Sequence, residues 1–261
     1  MSEGARLDHV AIAVERWSDA FPRYVADLGG RWVSGGQGPG FAPAQLVYRG
    51  GMKVEILRPN QVEVNDFLRR FLDRSGPGPH HLTYKVDDLP AAIEACESAG
   101  FPLMNIDLRD PQWQEAFVHP KAAGGIVVQL AQTDGSEWRT GPPTGFPASA
   151  LSEPADLRRV VHAVRSIDDA LALFEGVLGG VRREDGDGWV ELSWPPDGRV
   201  RLVEARTPAF LAWIEGLPGR LHEVVFAVAD PADVPDAVRD GDRWIVPPER
   251  NLGVRLALEP G

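Results

Sequence analysis

Cys96 is the only cysteine among 261 residues, so the chain has no internal disulfide and no cysteine-based zinc site. It lies in "LPAAIEACESAGF", a helical pattern in which an inert, buried thiol is expected. Positive charge is also short, with 27 Lys and Arg against 38 Asp and Glu and a formal net charge of −11. That balance speaks against unspecific binding to nucleic acid or to an anionic membrane; it favours solubility and points to no substrate. No apolar run approaches the roughly 18 residues of a membrane-spanning helix. The start, "MSEGARLDHVAIAV", lacks the basic segment and long apolar core of a secretory signal, so the cytoplasm is the expected compartment. "GGQGPG" (35–40) has no Walker lysine and no helix after it, which predicts a mobile, lid-like loop and not a phosphate cradle.

What the chain does have is a repeat. "LDHVAIAVERWSDAFPRYVADLGG" from Leu7 aligns without a gap on "LRRVVHAVRSIDDALALFEGVLGG" from Leu157, an offset of 150 residues. Each copy reads as an apolar strand, an amphipathic helix from a Ser/Asp cap, and a Gly at the helix end. Strand-like runs follow: "AQLVYRG" and "MKVEILRP" in one, "GWVELSWP" and "RVRLVEAR" in the other. A finer repeat follows each. "HHLTYKVDDLPAAIEACESAGF" is again strand, helix and turn, with "EAFVHP" and "GGIVVQLAQ" as later strands. "HEVVFAVADPADVPDAVRDG", "RWIVPP" and "GVRLALEP" repeat it with a shorter, proline-interrupted helix. Residues 133–155 are rich in Gly, Pro, Ser and Thr without periodicity, a linker composition. A content of 43% hydrophobic residues suffices for one large core or two ordinary ones.

"PGPHHLTYKVDD" (77–88) sets two histidines at the mouth of a strand. Side chains alternate along a strand, so His80 and His81 point to opposite faces and one at most looks into a given hollow.

The segments "LDHVAIAV", "VEILRP", "GPHHLTYKVDDLPAAIEACESAGF" and "FVHPKAAGGIVVQL" cover most of residues 5–132. Together they resemble the vicinal oxygen chelate superfamily of glyoxalase, bleomycin-resistance and dioxygenase proteins, and most closely its methylmalonyl-CoA epimerase branch. The second half resembles it in outline only, as a degenerate copy. The resemblance implies an α+β fold of two tandem domains, residues 1–132 and 156–261, joined by the linker 133–155. Each domain would consist of two βαβββ modules forming a cupped mixed sheet. It implies one divalent metal ion in the first cup, held by His9, Glu55, His81 and Gln129, and none in the second. Two imidazoles, a carboxylate and an amide oxygen are an N/O set suited to Zn, Fe, Co, Ni or Mn. Each residue also has a plainer use: His9 in a core strand, Glu55 at a solvated strand end, Gln129 as a hydrogen-bonded core amide.

The amide at Gln129 stands where the family usually carries a glutamate. It can ligate through its oxygen but exchanges no proton near neutral pH, and one carboxylate would leave a divalent site at net charge +1. Gln45 falls where the epimerase branch has its second proton-carrying glutamate. The expected catalytic set is therefore Glu55, Gln129, Gln45 and Tyr48, with His80 and His119 as further substitutes for the missing base. His119 and Lys121 in "FVHPK", with Trp113 and Phe41, are the expected substrate contacts. In the second half Arg159, Arg201, Glu223 and Ala257 take the four ligand positions. They suggest a buried salt-bridge cluster or, in the sharper reading, an anion site. His162 aligns with Ile12 and so falls out of ligand phase, as a packed core histidine.

The expected function is that of a metal-dependent isomerase or lyase acting on a small oxygen-rich or acyl substrate through an enolate-like intermediate. A drug-sequestering binding protein of the same fold is the alternative. A non-haem iron dioxygenase using His9, His81 and Glu55 comes third, because the family's dioxygenases take their carboxylate from the last strand. The expected partner is a small molecule, with no nucleic acid and no membrane, in a monomer or homodimer.

Overall fold

The computed structural model describes residues 4–135, 140–149 and 151–261. Four modules follow one another. The first runs β1 (Arg6–Ala13), α1 (Trp17–Phe21) continued by π-helical turns over Pro22–Asp27, β2 (Arg31–Gly35), β3 (Gly40–Val47) and β4 (Lys53–Asn60). Helix α2 (Phe67–Ser75) leads to the second: β5 (Gly78–Lys85), α3 (Leu89–Ser98), β6 (Leu103–Asp107), β7 (Gln114–Val118) and β8 (Val127–Gln132). The third has β9 (Asp156–Val164), α4 (Ile167–Leu171) with π-helical turns over Ala172–Val177, β10 (Val181–Gly186), β11 (Trp189–Trp194) and β12 (Gly198–Glu204). After α5 (Pro208–Trp213) the fourth is β13 (Gly219–Val228), β14 (Val238–Asp240), β15 (Arg243–Val246) and β16 (Leu256–Pro260).

The strands form two eight-stranded mixed sheets of one topology, β2-β3-β4-β1-β5-β8-β7-β6 and β10-β11-β12-β9-β13-β16-β15-β14. This is the expected α+β fold of paired modules. The repeat extends to the register. Ala11 pairs with Glu55 as Val161 pairs with Arg201, and Thr83 pairs with Gln129 as Val225 pairs with Ala257. Side-chain caps start three of the α-helices: Asp88 accepts from Ala91 N–H at 3.0 Å, Ser166 from Asp169 N–H at 3.1 Å and Thr207 from Phe210 N–H at 3.2 Å.

Three local expectations change. The fourth module's helix is a single 3-10 turn, Pro231–Asp233, because Pro235 offers no N–H and drives Val234 into an extended conformation. The 35–40 loop is pinned as a hairpin connection: Gly38 N–H donates to Phe41 O at 3.0 Å, and Asn60 Nδ2 donates to Gly38 O at 2.9 Å. The described part of 133–155 has no helix or strand, yet it does not run free. Trp32 Nε1 donates to Thr140 O at 2.6 Å, and the Phe146 ring meets Phe21 and Trp32 at 5.0 and 5.6 Å.

The described residues gather into two compact units, each drawing on both halves of the sequence. One takes those among 1–8, 81–137 and 159–222, the other those among 9–80, 138–158 and 223–261. In the former, Tyr84 packs on Trp194 at 5.1 Å, and Gly125 passes so near Gly219 that a Cβ on it would meet the Gly219 oxygen at 1.9 Å. In the latter, Tyr24 accepts from Asn251 Nδ2 at 3.1 Å, and Tyr48 packs on Phe226 at 4.9 Å. Among the described residues no helix is long and apolar enough to cross a membrane. Cys96 is buried, which pushes its thiol up to about 11.

His162 is fully buried, with Nε2 2.8 Å from the Gly124 carbonyl oxygen, and burial lowers it from 6.5 to about 4. A depressed folded-state value makes the contribution complete above the unfolded value, near pH 6.5, and removes it as pH falls toward 4. The stability difference between wild type and His162→Gln should shrink by roughly 3 kcal/mol over that window in denaturant titrations. A pH-independent difference would contradict it.

Candidate metal centre

Alternation along β1 puts His9 on the face of Ala11 and Ala13, and parallel pairing sets Glu55 beside Ala11. His9 Nε2 and Glu55 Oε2 are 3.5 Å apart. His81 completes the group: one donor atom each from His9, Glu55 and His81 lie within 4.8 Å of one another. The three are 0%, 6% and 5% exposed, so their polar atoms must be satisfied by something other than bulk water. Two imidazole nitrogens and a carboxylate oxygen at such spacing fit a divalent ion, whose bonds to them are about 2.0–2.2 Å. Among the described residues no other such group of His, Cys, Asp or Glu occurs.

One amide braces the group, and a second lies along β8. Gln45 pairs directly with Glu55 across β3 and β4, donates Nε2 to Glu55 Oε1 at 3.0 Å, and accepts from Ser34 Oγ at 3.0 Å. Gln129 sits beside Thr83, two residues along β5 from His81 and hence on its face. Thr83 Oγ1 donates to Gln129 Oε1 at 2.6 Å, and Gln129 Nε2 donates to Glu115 Oε2 at 2.7 Å. Trp113 Nε1 donates to the same Glu115 oxygen at 2.7 Å.

Glu115 was not foreseen. "EAFVHP" reads only as a later strand, and the antiparallel pairing of β7 with β8 is what brings Glu115 to Gln129. A second carboxylate hangs on the very amide that seemed to remove one.

The remaining candidates fall in different places. The Phe41 ring meets Phe67 at 5.7 Å, and with Phe71 they pack on Ala11, Ala13, Leu57, Leu68 and Leu72, an apolar wall on the His9 face. His80 rests edge-on against Phe71 at 4.8 Å, and burial holds it down at about 4 against the pull of the Glu55 charge. Tyr48 is a correction. It lies out of phase with Gln45, donates its hydroxyl to Tyr24 O at 2.7 Å, and is raised well above the usual phenol value by burial, so it is a core residue and no acid or base. Lys121 N–H donates to His119 Nδ1 at 3.2 Å in a tight turn, and Lys121 lines a cavity of about 290 Å³ together with Arg165, Ser166 and Asp169.

Residues 8–117 match the family model of the Glyoxalase/Bleomycin resistance/Dioxygenase superfamily. Human mitochondrial methylmalonyl-CoA epimerase is 29% identical over 132 residues, 49% of this chain and 73% of the relative. An ethylmalonyl-CoA/methylmalonyl-CoA epimerase from Cereibacter sphaeroides is 28% identical over 134 residues, 49% of this chain and 97% of the relative. The crystal structure of a hypothetical protein from Staphylococcus aureus spans 98% of this chain and 99% of its own, with a TM-score of 0.64 and 11% identity, a likeness of fold alone.

Two predictions follow from the geometry. Elemental analysis should find one divalent ion per chain, lost in His81→Ala and retained in His80→Ala; equal loss from both would defeat the ligand assignment. Gln129→Glu should set two carboxylates at hydrogen-bonding distance, where one must bind a proton. Without metal the variant should melt lower than wild type near neutral pH and recover in acid, and added divalent ion should relieve part of the loss. A variant as stable as wild type without metal would show that Glu115 does not share the site.

Proposed function

We propose a function from one premise: residues 8–117 form a domain of the Glyoxalase/Bleomycin resistance/Dioxygenase superfamily. On this reading the chain is a metal-assisted isomerase of the epimerase kind, moving a proton at the carbon beside the carbonyl of a small acyl substrate, with an acyl-CoA thioester as the first candidate. The observation that carries it is the buried His9–Glu55–His81 group with a second carboxylate, Glu115, hydrogen-bonded to Gln129. The two curated relatives named above are epimerases and align with the half that holds this group.

His9, Glu55 and His81 would hold the ion, and Gln129, with one oxygen lone pair taken by Thr83, would offer it a fourth donor. A bound divalent ion supplies a Lewis acid for the carbonyl oxygen and for the enolate charge that develops on it. Gln45 fixes the orientation of Glu55. Glu115 is the proton carrier on this reading, because neither amide exchanges a proton and Tyr48 is sealed in the core. Phe41, Phe67 and Phe71 give the site an apolar side that excludes water. The same apolar wall favours the second reading, a sequestering binder of this fold.

Solvent deuterium uptake into methylmalonyl-CoA separates the two. The metal-loaded protein should catalyse it, and Glu115→Gln should slow it by about 10²-fold or more while metal content stays unchanged. Binding of the thioester without exchange would favour the sequestering protein.

A further inference from the structure

Lys121, from the turn after β7, lines one cavity of about 290 Å³ with Arg165 and Ser166, which follow β9, and Asp169 of α4. All four belong to the compact unit built from 81–137 and 159–222. Two glycines let the walls of this cavity come together. A Cβ on Gly219 would clash with the carbonyl oxygens of Ala163 and Gly124, and one on Gly125 would clash with Gly219. A side chain at either position would therefore push the 119–125 turn, the end of β9 and the start of β13 apart. The turn is tied within itself as well: Gly125 N–H donates to Pro120 O at 2.7 Å and Ala122 N–H to His119 O at 2.9 Å. On the other wall Arg165 is held twice, its N–H donating to Pro218 O at 2.9 Å and its Nε to Leu217 O at 2.7 Å.

The charged groups at the rim are not spent on one another. Among the described residues, the Lys121 ammonium, the Asp169 carboxylate and the terminal nitrogens of Arg165 make no hydrogen bond or ion pair. Arg165 and Asp169 carry opposite charges four residues apart, yet they stay unpaired while the Arg165 Nε is engaged with Leu217. Ser166 Oγ accepts from Asp169 N–H at 3.1 Å, which leaves its own O–H to donate. No other ionisable side chain of the described residues lines the cavity. Its floor is apolar, with Val164 and Ala170 both buried and Pro218 beside them.

Single exposed charges without partners are ordinary surface features. Here two cations, one carboxylate and a hydroxyl stand around one small apolar floor. A plain anion would satisfy Lys121 and Arg165 but would face Asp169 with like charge, and a plain cation would meet the reverse. A ligand that carries both signs satisfies the whole rim. The cavity is at the small end of the range for ligand pockets, which suits a molecule of few atoms. The Nε bond of Arg165 holds its fork before any ligand arrives, which lowers the ordering cost of binding a carboxylate there.

We propose that this cavity binds a free α-amino acid with an apolar side chain. Its carboxylate would lie on Lys121 and Arg165, its ammonium on Asp169, and its side chain on Val164 and Ala170. The inference does not rest on the metal centre or its chemistry. Calorimetric titration of the full chain with leucine tests it, beside isocaproate and isopentylamine, which are leucine without its ammonium and without its carboxylate. One leucine should bind per chain, and each analogue should bind about tenfold or more weakly, the worth of one charge-assisted hydrogen bond. Lys121→Ala and Asp169→Asn, both at exposed positions, should each weaken leucine by a similar factor. Asp169→Asn should not weaken isocaproate, which has no ammonium to lose a partner. Arg70→Ala on α2 should bind leucine like wild type. An amino acid also chelates divalent ions, so leucine should bind equally well after EDTA treatment. No saturable binding of leucine, isocaproate binding as tight as leucine, or an unaffected Lys121→Ala would overturn the proposal. Equal loss in Arg70→Ala, or binding abolished by EDTA, would overturn it too, by reducing the effect to surface charge or moving the ligand to the metal.

Discussion

Parallel pairing of β1 with β4 sets Ala11 beside Glu55, and this register decides which side chains share a face with His9. Val10, Ile12, Val54 and Ile56 are fully buried on the opposite face, so hydrocarbon burial holds the register fast. A slip of one residue would exchange the faces, driving Glu55 among those hydrocarbons and Val54 toward His9. The pairing of β5 with β8 imposes the same condition on His81, Thr83 and Gln129. The chemistry of the centre is thus tied to packing on the side of the sheet that has no chemistry.

Within that frame the two glutamines make physical sense as glutamines. Each bridges a hydroxyl and a carboxylate: Ser34–Gln45–Glu55 and Thr83–Gln129–Glu115. An amide can accept from the hydroxyl and donate to the carboxylate at once, which neither a second carboxylate nor an apolar side chain can do. A glutamate at either position would meet its neighbour with like charge. The first module has its carboxylate on β4 and its amide on β3, whereas the second has the amide on β8 and the carboxylate on β7. Acid and amide have changed strands, and the pair survives.

The second sheet shows how little the scaffold demands of this face. The same positions carry Arg159, Arg201 and Glu191 on strands paired in the same way. What the fold requires is that charges brought together there find partners. Glu191 takes Arg201 and Arg199, and Glu223 takes Arg243 at 2.5 Å and Arg255 at 3.4 Å. The sequence pointed to Arg159, Arg201 and Glu223 but missed Glu191 as the hub, because its role follows from pairing across β11 and β12. Fold and function separate here: one topology, two different sets of charged side chains.

The repeat, the α+β class and the order of strands were legible in the amino-acid sequence because they rest on local periodicity and on self-similarity. Of the two histidines, His81 joins His9 and Glu55, whereas His80, which alternation assigned to the opposite face, rests on Phe71 of the apolar wall on the His9 face. A shorter, proline-interrupted helix in the fourth module was legible too, but not its reduction to a single 3-10 turn. Glu115 was not. It lies 14 residues from Gln129, and only the antiparallel return of β7 along β8 brings the two to 2.7 Å. Tyr48 looked reactive by residue type, yet its phase and the Tyr24 carbonyl bury it. The compact units, each taken from both halves of the chain, were equally hidden. Sequence pattern determined which faces are polar and which apolar, since that depends on neighbours two and four residues away. Tertiary structure decided which polar groups meet, since that depends on register between strands far apart in the chain.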